Sequence, residues 1–139
     1  MDLKEIIEQA KNIVFFGGAG VSTESGIPDF RSDNGLYKKK YRYSAERMVS
    51  HSFFMQNPKE FYEFYFNHMI YPDAKPNKAH LALAHLEKIG KCKAVITQNI
   101  DGLHQMAGSK RVFELHGSVH KNTCMHCHAH YDLHKTIEA

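Results

Sequence analysis

A four-residue apolar run that stops at two glycines constrains the fold of this chain more than any other feature. The run IVFF occupies residues 13 to 16 and is followed directly by Gly17-Gly18. A short run without polar residues is typical of a parallel strand that is buried on both faces. Glycines after such a strand allow a tight turn close to a ligand. The pattern predicts an α/β fold in which the first strand ends at a binding loop.

Two further apolar runs predict two more buried strands. CKAVIT spans residues 92 to 97, and RVFELHG ends at His116-Gly117. A polar cluster follows each of the three predicted strands: Gly17 to Ser22, Gln98 to Asp101, and His116-Gly117. The carboxyl ends of parallel strands meet at one edge of a sheet and form the ligand crevice. We therefore expect the three clusters to converge on one site.

Helix signals lie between the predicted strands. Apolar residues at helical spacing behind Asp2 predict a helix over residues 3 to 11. Three more helices are predicted to begin at Ser44, Asn57 and Asn77, with Pro58 at a first helical position, Glu60 placed for a capping box and Gly90 as a C-terminal stop. The histidines on or beside these helices are interpreted as surface or packing residues: His51, His68, His80 and His85.

Composition favours an ordinary globular domain with one core. The 139 residues are 42% hydrophobic and 24% charged, with a net charge of +3. The single dense basic run, Lys38 to Lys40, is interpreted as a solvated loop rather than a phosphate-binding patch, so no direct nucleic-acid partner is expected. No apolar run approaches the roughly 20 residues of a membrane span. We expect no membrane partner and a cytoplasmic location.

The cysteines indicate metal rather than disulfides. There are three, and Cys124 and Cys127 form the Cys-x2-Cys pair CMHC, which is typical of a zinc knuckle. Zinc needs four ligands, and no later cysteine follows. Nearby histidines are poor candidates because they are too close in sequence to converge: His126, His128, His130 and His134. The preferred interpretation is an incomplete four-cysteine site.

Each cluster taken alone also has a structural interpretation. The dinucleotide fingerprint GxGxxG is not met, because Thr23 occupies the third glycine position, and a tight turn without a ligand fits this segment equally well. Asp101 suits a helix N-cap, and Gln98 and Asn99 could bond loop carbonyls. His116 is the strongest acid–base candidate because an unperturbed imidazole titrates near pH ~6.5, although a histidine after a strand is often structural.

The four motifs together resemble one family. GAGVSTESGIPDFRS, TQNIDGLH, ELHG and CMHC occur in this order, and with them the chain resembles the sirtuins, the NAD-dependent protein lysine deacylases of bacterial or archaeal type, from about residue 5 to the end. The resemblance implies an NAD site, a general base and structural-zinc ligands. The implied residues are Gly18, Ala19, Gly20 and Thr23 at the diphosphate and ribose, Phe30 and Arg31 in a flexible cofactor loop, Gln98, Asn99, Ile100 and Asp101 at the ribose and nicotinamide, His116 as base, and Cys124 and Cys127 at zinc.

The resemblance also implies a reaction and a partner. An acetyl-lysine protein or peptide would be deacetylated, the acyl group would pass to ADP-ribose, and nicotinamide would be released. The Tyr-x-x-Arg pair of succinyl- and malonyl-selective sirtuins is replaced here by Tyr65 and His68, which favours a neutral acyl group. The alternatives are an ADP-ribosyltransferase or NAD glycohydrolase that uses the same pocket, and a non-catalytic NAD- or zinc-binding module.

The implied organisation is the N-terminal portion of a sirtuin. A partial Rossmann-like parallel sheet would comprise residues 1–30 and 77–118, a cofactor loop and small helical insertion residues 31–76, and the first half of a zinc-binding module residues 119–139. A sheet that lacks strands leaves an unpaired edge, through which self-association is expected. The 139-residue chain alone is expected to be inactive and poorly stable.

Overall fold

The three apolar runs form one parallel sheet in the computed structural model, which describes residues 2–139. The strands are β1 Ile13–Gly17, β2 Cys92–Thr97 and β3 Val112–Glu114. β2 is central, and Phe16, Ile96 and Phe113 lie side by side across the sheet. The predicted parallel arrangement is confirmed.

The third strand ends earlier than the sequence predicted. β3 stops at Glu114 rather than at His116-Gly117. The Leu115 N–H still donates to the Thr97 carbonyl at 2.9 Å, but Gly117 has φ +79° and turns the chain away from the sheet. His116 consequently lies in the turn that follows the strand.

Helices fill the segments between the strands of the sheet. They are α1 Leu3–Gln9, α2 Ala45–Met48, α3 His51–Gln56, α4 Pro58–His68, α5 Lys78–Lys88, α6 Leu103–Met106 and α7 Leu133–Glu138, with 3₁₀ helices at Ala19–Ser25 and Leu36–Lys38. α5 packs against β2 and α6. Since β1 and β2 pair in parallel, the long connection between them, which contains α2 to α5, must cross back over the sheet.

The predicted helix starts are largely correct. The Asp2 side chain accepts from the Glu5 N–H, Ser44 accepts from Arg47, and Asn77 accepts from Ala79. α1 ends at Gln9 instead of residue 11, because Ala10 adopts an extended conformation.

The predicted capping box at the start of α4 is wrong. The Asn57 side chain makes no capping hydrogen bond. The Asn57 N–H donates to the Phe53 carbonyl at 2.7 Å and so closes α3, which removes the donor that Glu60 would have bound. One residue therefore ends one helix and begins the next.

Two apolar clusters lie outside the sheet. In the helical insertion, Ala45, Met48, Phe53 and Phe64 are buried together. Near the C-terminus, Val119 packs with Ile70 and Leu133 beneath a short antiparallel hairpin. The hairpin strands are β4 Asn122–Thr123 and β5 His130–Tyr131.

One face of the sheet is open. Val14, Phe16, Phe113 and Leu115 are between 55% and 61% exposed. The opposite face is covered by α5 and α6, where the Phe15 ring lies 5.7 Å from the His104 ring. Within residues 2–139, no helix has the length and apolar character needed to cross a bilayer.

Candidate functional site

The glycine-rich turn after β1 brings backbone close to the second polar cluster. Gly18 is extended, and a β-carbon there would lie 3.3 Å from the Gln98 Oε1. At Gly20 no atom would lie within 4 Å of such a carbon, so the backbone there borders open space. The missing side chains thus allow Gln98 to approach on one side and leave room for a ligand on the other.

A buried hydrogen-bond network joins this turn to the end of β2. Ser22 is fully buried, and its Oγ donates to Asp101 Oδ2 at 2.7 Å. The Asn99 Nδ2 donates to the same Oγ at 3.1 Å. His80 Nε2 lies 3.3 Å from it. Three side chains from two other segments, the loop after β2 and α5, therefore meet at the Ser22 hydroxyl group.

The direction of every bond in this network is fixed by a backbone donor. The Asn77 N–H donates to His80 Nδ1 at 3.1 Å, so the proton of the neutral imidazole is on Nε2. His80 must then donate to the Ser22 Oγ. Because that oxygen also accepts from Asn99, its own proton is directed to Asp101.

Asp101 accepts hydrogen bonds through both carboxylate oxygens. The Leu103 N–H donates to Oδ1 at 2.9 Å, while Oδ2 accepts from Ser22. The N-cap interpretation of Asp101 is wrong, because Gly102 is the N-cap of α6 and Asp101 precedes it. Its bond to the Leu103 N–H is a local contact between residues two apart. The carboxylate is held as an acceptor with lone pairs still available on the cavity side.

Two buried histidines back the network. His80 and His104 have ring centroids 4.8 Å apart, and both side chains are essentially inaccessible to solvent. Burial lowers the pKa of His80, and Asp101 opposes this shift. Burial, followed by the neighbouring His80, lowers the pKa of His104. Among the described residues neither ring nitrogen of His104 has a hydrogen-bond partner. Both imidazoles are accordingly neutral near pH 7.

A cavity of about 810 Å³ lies beside the network. Most of the predicted site residues line it: Ala19, Gly20, Phe30, Arg31, Gln98, Asn99, Ile100, Asp101 and His116. The expected convergence of the three polar clusters is thus observed. Gly18 and Thr23 are not part of the cavity wall, and the Thr23 hydroxyl donates to the Gly20 carbonyl at 3.0 Å.

The Phe30–Arg31 segment belongs to a closed loop over the cavity. Leu36 N–H donates to the Asp29 carbonyl at 2.9 Å and Tyr37 N–H to the Phe30 carbonyl at 2.8 Å. At Gly35 a β-carbon would lie 2.6 Å from the Phe30 carbonyl carbon. Glycine at this position lets the two ends of the loop meet.

The far wall of the cavity is apolar and comes from the helical insertion and the C-terminal cluster. It includes Phe64, Tyr65, His68, Met69 and Leu133. Burial, followed by the charge of Lys39, lowers the pKa of His68. The interpretation of His68 as a bland packing residue is therefore incomplete, since a neutral imidazole forms part of this wall.

The Cys124–Cys127 turn is a knuckle on the hairpin. His128 adopts φ 60°, its N–H donates to the Cys124 carbonyl at 2.9 Å, and Cys124 N–H donates to the Ala129 carbonyl at 2.9 Å. Backbone N–H groups of Cys127 and His126 lower the pKa of the Cys124 thiol. Within residues 2–139, no three potential ligands are grouped to hold a metal ion.

Sequence reasoning missed two of the buried histidines at the site. His80 was interpreted as packing, yet it occupies the third helical position after the Asn77 cap, where a capping-box partner is expected. That spacing was the available signal. For His104 the sequence offers no such signal beyond its position in a polar loop.

A directional polar network beside a glycine turn, at the carboxyl edge of a parallel sheet, places the protein among α/β proteins built to bind a ligand at that edge. The profile of the Sir2 family matches residues 18–139, and the chain belongs to the Sir2 family. The resemblance to the sirtuins is confirmed.

Relatives and solved structures agree with this assignment. The chain is 66% identical over 132 residues to the NAD-dependent protein deacetylase of Clostridium perfringens, covering 94% of this chain and 54% of that protein. It is 51% identical over 134 residues to NAD-dependent protein deacylase 2 of Archaeoglobus fulgidus, covering 96% and 52%. A Sir2 structure with a deacetylated p53 peptide and 3′-O-acetyl ADP-ribose matches with TM-score 0.88 and 45% identity over 99% of this chain and 56% of that one. The chain spans about half the length of these relatives.

Proposed function

We propose that the protein to which this chain belongs is an NAD-dependent protein lysine deacetylase that transfers the acyl group of acyl-lysine to ADP-ribose and releases nicotinamide. The names of its relatives support this proposal. The observation that carries it is the network that holds the Asp101 carboxylate as an acceptor at the cavity. A purely structural turn would not need a carboxylate fixed from both sides.

Asp101 is proposed to bind the nicotinamide carboxamide. Ser22 and Leu103 each occupy one lone pair of the carboxylate, and an amide N–H₂ group is a donor that suits the remaining ones. Asn99 is buried next to it and lines the same cavity. These two residues would orient the nicotinamide ring and its ribose.

NAD, when bound, would supply the electrophilic ribose carbon from which nicotinamide departs. His116 is proposed as the general base that takes a proton from a ribose hydroxyl group, so that this hydroxyl can attack the acylated intermediate. It lies in the turn after β3 and on the cavity wall. An imidazole is suited to proton transfer near neutral pH.

The glycine turn and the neighbouring loop are proposed to hold the rest of NAD. Gly18, Ala19, Gly20 and Thr23 would border the diphosphate and ribose, where the open space at Gly20 allows close approach. Phe30 and Arg31, on the closed loop above the cavity, would cover the nicotinamide end and exclude water.

The acyl group is proposed to be neutral, because His68 stands where an arginine would bind an acyl carboxylate. Tyr65 and His68 line the cavity, and the lowered pKa of His68 keeps that ring neutral at pH 7. In His68→Arg, a guanidinium could bind an acyl carboxylate bidentately. The ratio of kcat/KM for succinyl-lysine over acetyl-lysine peptide should rise at least about tenfold. An unchanged ratio would contradict this assignment of the wall.

Cys124 and Cys127 are proposed to supply two of four ligands to a structural zinc ion. The knuckle turn and the lowered pKa of Cys124 support a metal-binding role. The zinc would stabilise the hairpin and take no part in the reaction. The segment boundaries at residues 30, 76 and 118 are likewise proposed as the limits of the sheet domain, the insertion and the zinc-binding module.

Two weaker proposals concern the surroundings of the protein. All three cysteines are free, which suits the reducing cytoplasm.

Self-association of the 139-residue chain is proposed to occur through the outer edges of β1 and β3 and the apolar face between them. A concentration-dependent sedimentation coefficient would support the second proposal, and a constant monomeric value would refute it.

The decisive experiment measures nicotinamide release by the protein expressed at its natural length. Incubation with NAD and an acetyl-lysine peptide should release nicotinamide and free lysine peptide in equal amounts, with little release when the peptide is unmodified. Release without acyl-lysine would instead identify a glycohydrolase or transferase. NAD binding without any release would identify a binding module.

A further inference from the structure

His120 lies at the edge of the candidate site, outside the polar clusters that the sequence revealed. It is on the cavity wall, four residues after His116. Its Nε2 is 3.0 Å from the backbone carbonyl oxygen of Asp101. A carbonyl oxygen only accepts hydrogen bonds, so His120 Nε2 must carry a proton. The contact fixes the tautomer of the ring and leaves Nδ1 uninvolved.

The His120 ring also fills the space beside Gly102. This glycine has φ +71°, and a β-carbon on it would lie 2.7 Å from His120 Cδ2 and 2.8 Å from Nε2. The left-handed backbone therefore favours glycine at this position, and a methyl group here would have to displace the exposed His120 ring. The ring and the loop backbone fit against each other directly.

The backbone next to His120 is anchored to the same loop. The Val119 N–H donates to the Ile100 carbonyl at 3.0 Å, and the Val119 side chain is buried against Ile70 and Leu133. The His120 N–H donates to the Ser118 Oγ at 3.2 Å. The ring thus projects from a fixed segment rather than from a free loop.

The Asp101 residue is consequently held from two sides. Ser22 and Leu103 bind its carboxylate, while His120 binds its backbone carbonyl. Rotation of the peptide group between Asp101 and Gly102 would break the His120 contact and shift the Leu103 N–H that binds the carboxylate. Side-chain bonds alone would leave that peptide group without a partner among the described residues.

We propose that His120 is a positioning residue for the Asp101 carboxylate and so sets the affinity of the site for the nicotinamide end of NAD. This inference rests on the proposed function for the reaction that it serves. His120 remains a donor through Nε2 whether the ring is neutral or protonated, so the contact exists in both states of the ring.

Three variants of the natural-length protein test the role. His120→Phe keeps a ring but removes the donor, and His120→Gln keeps an N–H donor. His134→Phe is the matched control, since this exposed histidine lies on α7, away from the cavity. The KM for NAD and the inhibition constant of nicotinamide should each rise about 3- to 10-fold in His120→Phe, the range of one neutral hydrogen bond. His120→Gln should stay within about twofold of the wild type, as should the control.

Three outcomes overturn the proposal. One is a His120→Phe enzyme with unchanged KM and nicotinamide inhibition. Another is a loss of the same size in His120→Gln, which would make the ring shape rather than the donor important. The third is a fall in thermal stability without any change in KM, which would mark a structural role.

A measurement independent of turnover separates this inference from the proposed function. In ¹⁵N-labelled protein at a pH where the ring is neutral, the Nε2–H proton of His120 should exchange slowly with solvent because it is bound to the Asp101 carbonyl, and it should exchange faster in Gly102→Ala, where the added methyl group displaces the ring. Equally fast exchange in the two proteins, or an Nδ1–H tautomer, would refute the contact. Should the wild type release no nicotinamide, the proposed function fails while this exchange rate still decides whether His120 binds Asp101.

Discussion

The carboxyl edge of the sheet and the Cys124–Cys127 knuckle hold their polar groups in opposite ways. At the sheet edge, Ser22, His80 and Asp101 come from distant segments, and each has its partners within the described residues. In the knuckle both thiols come from a four-residue turn, and within residues 2–139 no third ligand joins them. The first network is scattered along the sequence, whereas the second group is local and lacks a third potential ligand among the described residues.

This difference teaches where chemistry and stability reside. A network that is closed by backbone donors can orient a reacting group without further help. A pair of thiolates can bind zinc firmly only after other ligands arrive. Damage to the first region should therefore change turnover, and damage to the second should change folding.

The largest effect is expected for His116→Ala in the natural-length protein. Loss of the proposed base should lower the deacetylation kcat by about 10²- to 10⁴-fold. Steady-state assays with an acetyl-lysine peptide measure it. His134→Ala, at an exposed position of α7, should retain wild-type turnover. Comparable activity of the two variants would mean that another residue is the base, and the contrast between the two regions would not hold.

A smaller loss is expected for Asp101→Asn. The new amide cannot accept from both Ser22 and Leu103, so one of these charge-assisted bonds is lost. Such bonds contribute about 1.5–3 kcal/mol, so kcat/KM for NAD should fall about 10- to 150-fold. Asp132→Asn is the matched control, because Asp132 caps α7 without lining the cavity. Equal effects in the two would reduce Asp101 to a structural residue of its loop.

Cys124→Ser tests the second region. Bound zinc, measured by atomic emission, should fall from about one ion per molecule to nearly none, and the melting temperature should drop. The kcat of molecules that remain folded should change less than about twofold, since no step is assigned to the metal. Cys92→Ala, at a buried cysteine in β2, should keep its zinc. A large fall in kcat at unchanged stability would contradict the division of roles.

Acidification should lower the free energy of unfolding through the buried histidines at the sheet edge, which is a smaller effect than those above. His80 and His104 have lowered pKa values in the folded protein, so the unfolded chain binds their protons first as pH falls. Their contribution to stability is therefore complete above about pH 6.5 and declines below it, by up to about 1.4 kcal/mol per pH unit for each ring. Urea unfolding at pH 7.5 and 5.5 measures the slope.

The dependence of the free energy of unfolding on pH also distinguishes the two regions. It should flatten in His104→Phe, which removes one buried imidazole, and should remain in His126→Phe, which alters an exposed knuckle residue. The opposite pattern would assign the acid sensitivity to the hairpin.

Much of the fold and part of the site could be predicted from the sequence. Strands β1 and β2 were predictable because an apolar run ends at turn residues, and their order implied that Gly20, Asp101 and His116 share one cavity. The tautomer of His80 and the contact of His120 with Asp101 could not be predicted, since both depend on backbone groups that only the tertiary fold brings near. The capping box at Asn57 failed because a preceding helix already used its N–H.

Asn77 links the glycine turn to the start of α5. Its side-chain Nδ2 donates to the Val21 carbonyl at 2.7 Å and to the Ser25 Oγ at 3.1 Å, while its side-chain oxygen caps α5. Closing so long an intervening chain costs entropy before these bonds form. We therefore expect the turn to gain protection from amide hydrogen exchange only together with the first turn of α5, late in folding. Asn77→Asp, which keeps the cap oxygen but loses the donor, should uncouple the two events.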